Sequence, residues 1–251
     1  MPLKSNEHQA QFALTVDLAI FTIKEGSLNI LLIKRAEDPF AGSWALPGGF
    51  VDIKDDVEEA ARRELQIETG VDLQKSHLEQ LGTYGRRDRD PRMRVISVAH
   101  VALVPSVGKI VAGGGASAAT LVKVSDLNLP SSKSTGSINL AFDHAQIIKD
   151  AVERVRSKLE YTTLAAALLN EPFSLADIRS VYEAVWGRAP DIANFRRKIL
   201  STQGFVEAIG KAAIPGSKGG RPATLYRRGS ANFLHPPILR QHVVHDDADM
   251  P

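Results

Sequence analysis

Cysteine is absent from all 251 residues. That excludes disulfides and thiolate zinc sites, and makes a reducing cytoplasm the expected compartment. Long apolar runs are missing too, since no stretch approaches the roughly 20 residues that a membrane-crossing helix needs. The opening Met1-Pro-Leu-Lys-Ser-Asn-Glu-His8 lacks the apolar centre of a secretory leader. No internal repeat is found. What is present is ordinary for a globular protein, with 43% hydrophobic and 24% charged residues. The length allows two domains, each able to bury a core of its own.

Net charge is only +2, but it is unevenly spread. Residues Arg188 to Arg228 hold nine Lys or Arg against Asp191 and Glu207 alone. The remainder carries 22 basic and 27 acidic residues. A basic module attached to a mildly acidic body points to nucleic acid or another anionic surface.

The densest chemistry lies between Gly49 and Val71. Gly49-Phe-Val-Asp-Ile-Lys-Asp55 is followed, seven residues later, by Arg63-Glu64-Leu65-Gln66-Ile67-Glu68-Thr69-Gly70-Val71. Asp55 to Glu68 are good helix formers and Gly70 supplies a stop. At about 100° per residue, Val57, Ala61, Glu64 and Glu68 share one stripe. Two carboxylates four apart on an inward stripe repel each other and lose hydration, so they call for a cation; oxygen ligands suit Mg²⁺ or Mn²⁺. A solvated acidic helix is the alternative, but the stripe shared with Val57 and Ala61 and the preceding Trp44-Ala-Leu-Pro-Gly-Gly49 turn argue against it.

This stretch resembles the Nudix box, G-x5-E-x7-R-E-U-x-E-E-x-G-U with U a bulky aliphatic, at all but two positions. Asp55 replaces the first Glu, and Ile67 replaces the first of the Glu pair. In the enzymes it resembles, the box glutamates hold ions that polarise a diphosphate and generate the attacking hydroxide. Glu64 and Glu68 remain as metal positions. Ile67 cannot coordinate, whereas Asp55 can still pair with Arg63. A nucleotide-diphosphate pocket is expected, with hydrolysis slow or absent.

Along the chain, strands are expected at Gln11–Ile23, Leu28–Ile33, Leu78–Tyr84, Val95–Val104 and Thr120–Val124, with a hairpin turn at Glu25-Gly26-Ser27. Strands, the box helix, then strands match the α/β/α sandwich of the Nudix fold. A helix from Asp143 to Glu160, with Ile148, Val152, Val155 and Leu159 in a stripe, closes this first domain, residues 1–160. The second module, 161–228, has an apolar helical stretch at Leu164–Leu169, then a helix from Ser174 to Gly187. A third helix starts with Pro190 in its first turn, and a hairpin pairs Val206–Ile209 with Thr224–Arg227 across a Gly216–Ala223 tip. That order is a winged helix-turn-helix. Residues 229–251 lack periodicity and read as disordered, His235, His242 and His245 beside Asp246-Asp247 included.

On the third helix, Ile192, Phe195 and Ile199 should face the preceding helices. Asn194, Arg197, Lys198 and Ser201 take the other side, where Arg and Asn suit base edges and Lys suits phosphates. Arg196 falls near the apolar side and is expected to reach a phosphate or brace the fold. Lys218 and Arg221 complete the surface from the wing. Further candidates for the nucleotide are Arg35, at a strand end, Trp44 facing it, and Tyr84, Arg87 and Asp88, where a substrate loop would lie. Asp143 reads as a helix cap, and His144 as a supporting residue at most.

Taken together, Gln11 to Arg228 resembles the Nudix-related transcriptional regulators of NAD metabolism, the NrtR family. The resemblance rests on the box, on Arg89-Asp90-Pro91-Arg92, on Leu140-Ala-Phe-Asp-His-Ala145, on Asn194-Phe-Arg-Arg-Lys198 and on Gly220-Arg-Pro-Ala-Thr-Leu-Tyr226. It implies a homodimeric repressor of NAD synthesis or salvage genes on palindromic operators, with ADP-ribose or a related nucleotide as effector. Two other readings compete: an active ADP-ribose pyrophosphatase that also binds DNA, and a plain Nudix hydrolase whose second module binds a protein.

Overall fold

The computed structural model describes residues 11–71, 77–130, 137–212 and 222–240. The chain divides into two compact units: one runs to Arg154 and includes Ala167–Asn170, the other comprises Val155–Ala166 and everything from Glu171 onward. The division therefore falls inside a helix, earlier than the expected boundary at residue 160. Among the described residues no helix is long and apolar enough to cross a membrane.

The first unit is built on a seven-stranded sheet. Its strands are β1 (Ala13–Lys24), β2 (Ser27–Arg35), β3 (Trp44–Ala45), β4 (Gly48–Phe50), β5 (His77–Tyr84), β6 (Val95–Leu103) and β7 (Ala116–Lys123). β1 lies between β2, which is antiparallel to it, and β6, which is parallel. Val16 to Thr22 are buried, and an interior strand covered on both faces reads as an apolar run rather than an alternation. Glu25 and Gly26, at φ 52° and 68°, close the hairpin between Lys24 and Ser27; two positive φ values make the turn whose twist matches the strands.

Alternate residues of β1 face different helices. Val16, Leu18 and Ile20 pack with Ala60, Ala61 and Leu65 of α1 (Val57–Thr69). Asp17, on the other face, meets His144 at the start of α2 (His144–Tyr161). The result is the expected α/β/α layering. α1 opens where the Glu59 carboxylate accepts from the Asp56 N–H at 3.1 Å, and it ends at Gly70, φ 69°.

A 3₁₀ turn at Leu164–Leu168 is followed in the second unit by α3 (Leu175–Trp186), α4 (Ile192–Ser201), β8 (Val206–Ala212) and β9 (Thr224–Arg228). Ser174 caps α3, its hydroxyl accepting from Asp177 N–H at 3.2 Å while the Asp177 carboxylate accepts from Ser174 N–H at 2.7 Å. Asp191 caps α4, accepting from Asn194 N–H at 2.9 Å, so Pro190 precedes the helix instead of sitting in its first turn. Tyr182 packs edge-on against Trp186 and Phe195, above buried Ile178, Val181 and Ile199. Ile192 corrects the expected apolar face: it is 66% exposed, because the cap places it in the first turn, beyond the helix contact. β8 and β9 pair antiparallel, and Lys218 and Arg221 lie outside the described residues.

The reading of the last segment as disordered is corrected for residues 229–240. Leu234 is buried, its N–H donates to Tyr161 O, and Ile238 N–H donates to Glu160 O, each at 2.8 Å. The last turn of a helix leaves its carbonyls without intrahelical donors, and this strap supplies two of them. The Arg240 guanidinium then closes on the Glu160 carboxylate at 2.8 Å.

Candidate functional site

A cavity of about 190 Å³ opens where β4 pairs with β1, and its floor is a buried charge network. Arg89 Nη2 donates to Asp17 Oδ2 at 3.1 Å and to Asp143 Oδ1 at 2.9 Å, and its Nε donates to Asp143 Oδ2 at 3.1 Å. Ser97 Oγ donates to Asp17 at 2.5 Å. His144 has one arrangement open to it: Nδ1 accepts from Leu46 N–H at 2.9 Å, so Nε2 carries the proton toward Asp17 Oδ1, 3.3 Å away. Burial alone would push the Asp17 carboxyl up. His144, Arg89 and Ser97 outweigh it and hold the group at about 2. Asp143 is thus an acceptor for Arg89 in addition to opening α2.

Two arginines face the cavity above this floor. Arg35 stacks 4.9 Å from the Phe142 ring and bonds to the Pro39 and Glu37 carbonyls; Arg92 sits 5.6 Å from the Phe50 ring and pairs with Asp90 at 2.8 Å. Burial pushes the Arg35 guanidinium down, and the charge of Arg92 adds to that. An anion between them would relieve the repulsion, and the exposed Phe50 and half-buried Phe142 rings offer flat apolar walls.

The box helix forms the third side. Glu68 is buried and accepts from Gly48 N–H at 2.8 Å. Burial lifts its carboxyl to about 7; the Gly48 bond opposes this and the charge of Glu64 adds to it. Glycine is required at Gly48, where a Cβ would lie 2.1 Å from the Val16 backbone O; a Cβ on Gly49 would lie 2.6 Å from the Glu64 carboxyl and would displace it. Glu64 pairs with Arg63, which also binds Asp55 at 2.8 Å, as the shorter carboxylate was expected to allow. Ile67 is 48% exposed and lies under the Gly113-Gly114 turn, where a Cβ on Gly114 would be 2.9 Å from its Cγ2. Among the described residues no group of three or more His, Cys, Asp or Glu is placed to hold a metal ion. Two carboxylates fit at most a cation that takes its other oxygens from a bound diphosphate and water.

Of the nucleotide candidates drawn from sequence, the structure brings only Arg35 to this cavity. Trp44 is half-buried in β3, paired with Lys34. Tyr84 is committed to Asp150 at 3.0 Å, Asp88 forms an exposed pair with Arg86, and Arg87 is exposed. The β5 register explains this: Tyr84 pairs with Ser97 at the strand end, and the chain beyond it turns so that Arg89, not Arg87, points inward. Asp17, Arg89, Arg92 and Phe142 were not selected. The clusters around residues 89–92 and 140–145 were visible as motifs, but nothing local said that they meet Asp17.

The second unit presents α4. Asn194, Arg197 and Ser201 are exposed, and Arg197 Nη2 donates to Asn194 Oδ1 at 3.0 Å. Arg196 is also exposed and lines a separate cleft with Arg179, Thr224 and Tyr226. Lys198 differs from expectation: the ammonium is covered, without a hydrogen-bond partner among the described residues, and burial pushes its pKa down. It lies in a groove that Pro236, Pro237 and Ile238 of the strap also line.

Residues 12–141 match the NUDIX domain, and residues 165–228 match the NrtR DNA-binding winged helix domain. The chain is 34% identical, over 93% of its length and 90% of the relative's, to the ADPR responsive transcriptional repressor NtrR of Acinetobacter baylyi. It belongs to this family of Nudix-related regulators. The Shewanella oneidensis NrtR structure complexed with a 27mer DNA superposes with a TM-score of 0.69 at 30% identity, covering 87% of this chain and 98% of that one. The first domain alone is 44% identical to an ADP-ribose pyrophosphatase of Methanocaldococcus jannaschii, over 53% of this chain and 71% of the enzyme. Family membership thus joins a Nudix fold to a winged helix, as the two units do.

Proposed function

We propose that this protein is a transcriptional repressor whose Nudix pocket binds ADP-ribose or a related nucleotide, and that this binding releases operator DNA. The pairing of sites on one chain carries the reading: Arg35 and Arg92 converge on a cavity walled by Phe50 and Phe142, and α4 presents Asn194 and Arg197 to solvent. Guanidiniums suit a diphosphate and rings suit a base or sugar face. Asn and Arg on an exposed helix suit base edges. The targets are genes of NAD synthesis or salvage, bound by a homodimer on a palindromic site.

In this reading the pocket is a sensor that leaves its ligand intact. Mg²⁺ or Mn²⁺, when bound, would supply charge neutralisation at the diphosphate, and Glu64 and Glu68 are the residues that would hold it. Ile67 offers no further oxygen, and Arg63 already engages Glu64. The alternative, an active ADP-ribose pyrophosphatase that also binds DNA, is favoured by the likeness of the first domain to the archaeal enzyme and by the retained Asp55–Arg63 pair. Adding ADP-ribose to the protein on its upstream DNA tests the repressor reading, which requires the DNA to be released while the ADP-ribose is recovered intact. Retained DNA would reject it, and release followed by AMP formation would favour the alternative.

A further inference from the structure

A cleft of about 740 Å³ in the second unit is lined by four arginines, Arg156, Arg179, Arg188 and Arg240. Separate segments deliver them: α2 brings Arg156, α3 and the connection after it bring Arg179 and Arg188, and the strap brings Arg240. Two are fixed by backbone carbonyls, Arg156 Nε donating to Val185 O at 3.0 Å and Arg179 Nε to Pro190 O at 2.7 Å. Trp186 Nε1 in turn donates to Arg156 O at 3.1 Å, so α2 and the end of α3 hold each other. Arg240 is held by Glu160, and Arg188 is exposed.

Asp191 in the cleft wall is engaged in capping α4, and Glu160 is engaged by Arg240. Four guanidiniums gathered against two carboxylates repel one another unless a further anion joins them. Their planar forks fit the oxygens of a phosphate two at a time. The cleft also runs along the first turn of α4, with Ile192 and Asn194 in its wall. A recognition helix enters the major groove with its N-terminal residues at the base edges. That groove is about 12 Å wide, scarcely more than a helix with its side chains, so the bordering phosphates pass close to whatever flanks the first turn.

Resting on the reading of α4 as the DNA-contacting helix, we propose that this arginine cleft takes the phosphate backbone alongside the bases that α4 reads. Arg156 and Arg240 lie outside residues 165–228, the span that matches the winged helix domain, so half of the contact comes from flanking segments. Arg156 belongs to α2, and a phosphate in the cleft is therefore held by the same helix that begins at the nucleotide pocket.

Titration of the full chain with operator and nonspecific duplexes over a range of salt tests this. Arg188→Ala should weaken both by a similar factor and lower the slope of log affinity against log salt by about one unit, roughly a fourfold smaller loss between 50 and 200 mM salt. Arg240→Gln should lower the slope likewise, whereas a merely structural role would reduce affinity and leave the slope alone. Among the phosphates whose ethylation blocks the unmodified protein, at least one bordering each half-site should no longer matter to Arg188→Ala. An unchanged slope in Arg188→Ala, with the operator still bound, would overturn the proposal and leave the repressor reading standing. An unchanged slope joined to weaker ADP-ribose binding would make the cleft a second nucleotide site, and would overturn it too. If the unmodified chain bound no duplex, the repressor reading would fall and the phosphate contact with it.

Discussion

Asp17 is buried and still held at about 2, because His144, Arg89 and Ser97 all converge on its carboxylate. A folded value below the ordinary 3.8 means that the charged form stabilises the fold above pH 4, and that this stability is lost as pH falls toward 2. The shift corresponds to about 2 kcal/mol. Asp17→Asn should therefore flatten the acid limb of the unfolding curve of the first unit; an unchanged limb between pH 4 and 2 would refute the assignment. Ile67 gives a second test at this scale. With half its surface exposed, it can become Glu at little cost in stability. Magnesium-dependent hydrolysis of ADP-ribose should be slow or absent in the unmodified protein and should rise in Ile67→Glu; robust turnover that Glu68→Gln abolishes would contradict this. The sequence made Ile67, Glu64 and Glu68 legible because box spacing is a local property. Asp17, Arg92 and Phe142 were not, since strand register and the turn after β5 bring them together across the fold.

Among the elements, those with local signals were read well: the Glu25-Gly26 turn, the box helix stopped by Gly70, and the Ser174–Asp177 cap of α3. Ser174→Ala removes an acceptor for Asp177 N–H and should cost about 1 kcal/mol, seen as a lower thermal midpoint of the second unit. No change would mean that the cap is idle. α4 was legible as a helix, but its cap moved Ile192 to the surface. The strap was illegible because it is held by backbone bonds to the end of α2, which leave no pattern in its own residues. For DNA, Arg197→Ala should weaken operator binding by roughly 1–3 kcal/mol and relax preference at one base, as loss of a bidentate contact does. Unchanged affinity and preference would show that another surface reads the operator.

At the scale of the whole molecule, the claim is that two sites on one chain communicate. In the proposed dimer the two winged modules must match half-sites about 34–36 Å apart, so a small change in their arrangement is enough to lose register. The nucleotide can drive that change only by binding the DNA-free state more tightly. α2 is one uninterrupted helix from His144 to Tyr161, with its first residue at the pocket floor, and it contributes residues to both units. It is the covalent element through which occupancy of the pocket can be felt. Linkage makes the effect reciprocal: whatever factor ADP-ribose takes from operator affinity, the operator must take from ADP-ribose affinity, typically about 5–150-fold. The direct measurement is calorimetric titration of ADP-ribose into the protein, alone and saturated with its upstream duplex. Weaker binding in the presence of DNA, by the factor seen in the converse experiment, is the predicted result; equal affinities in both titrations would contradict the switch.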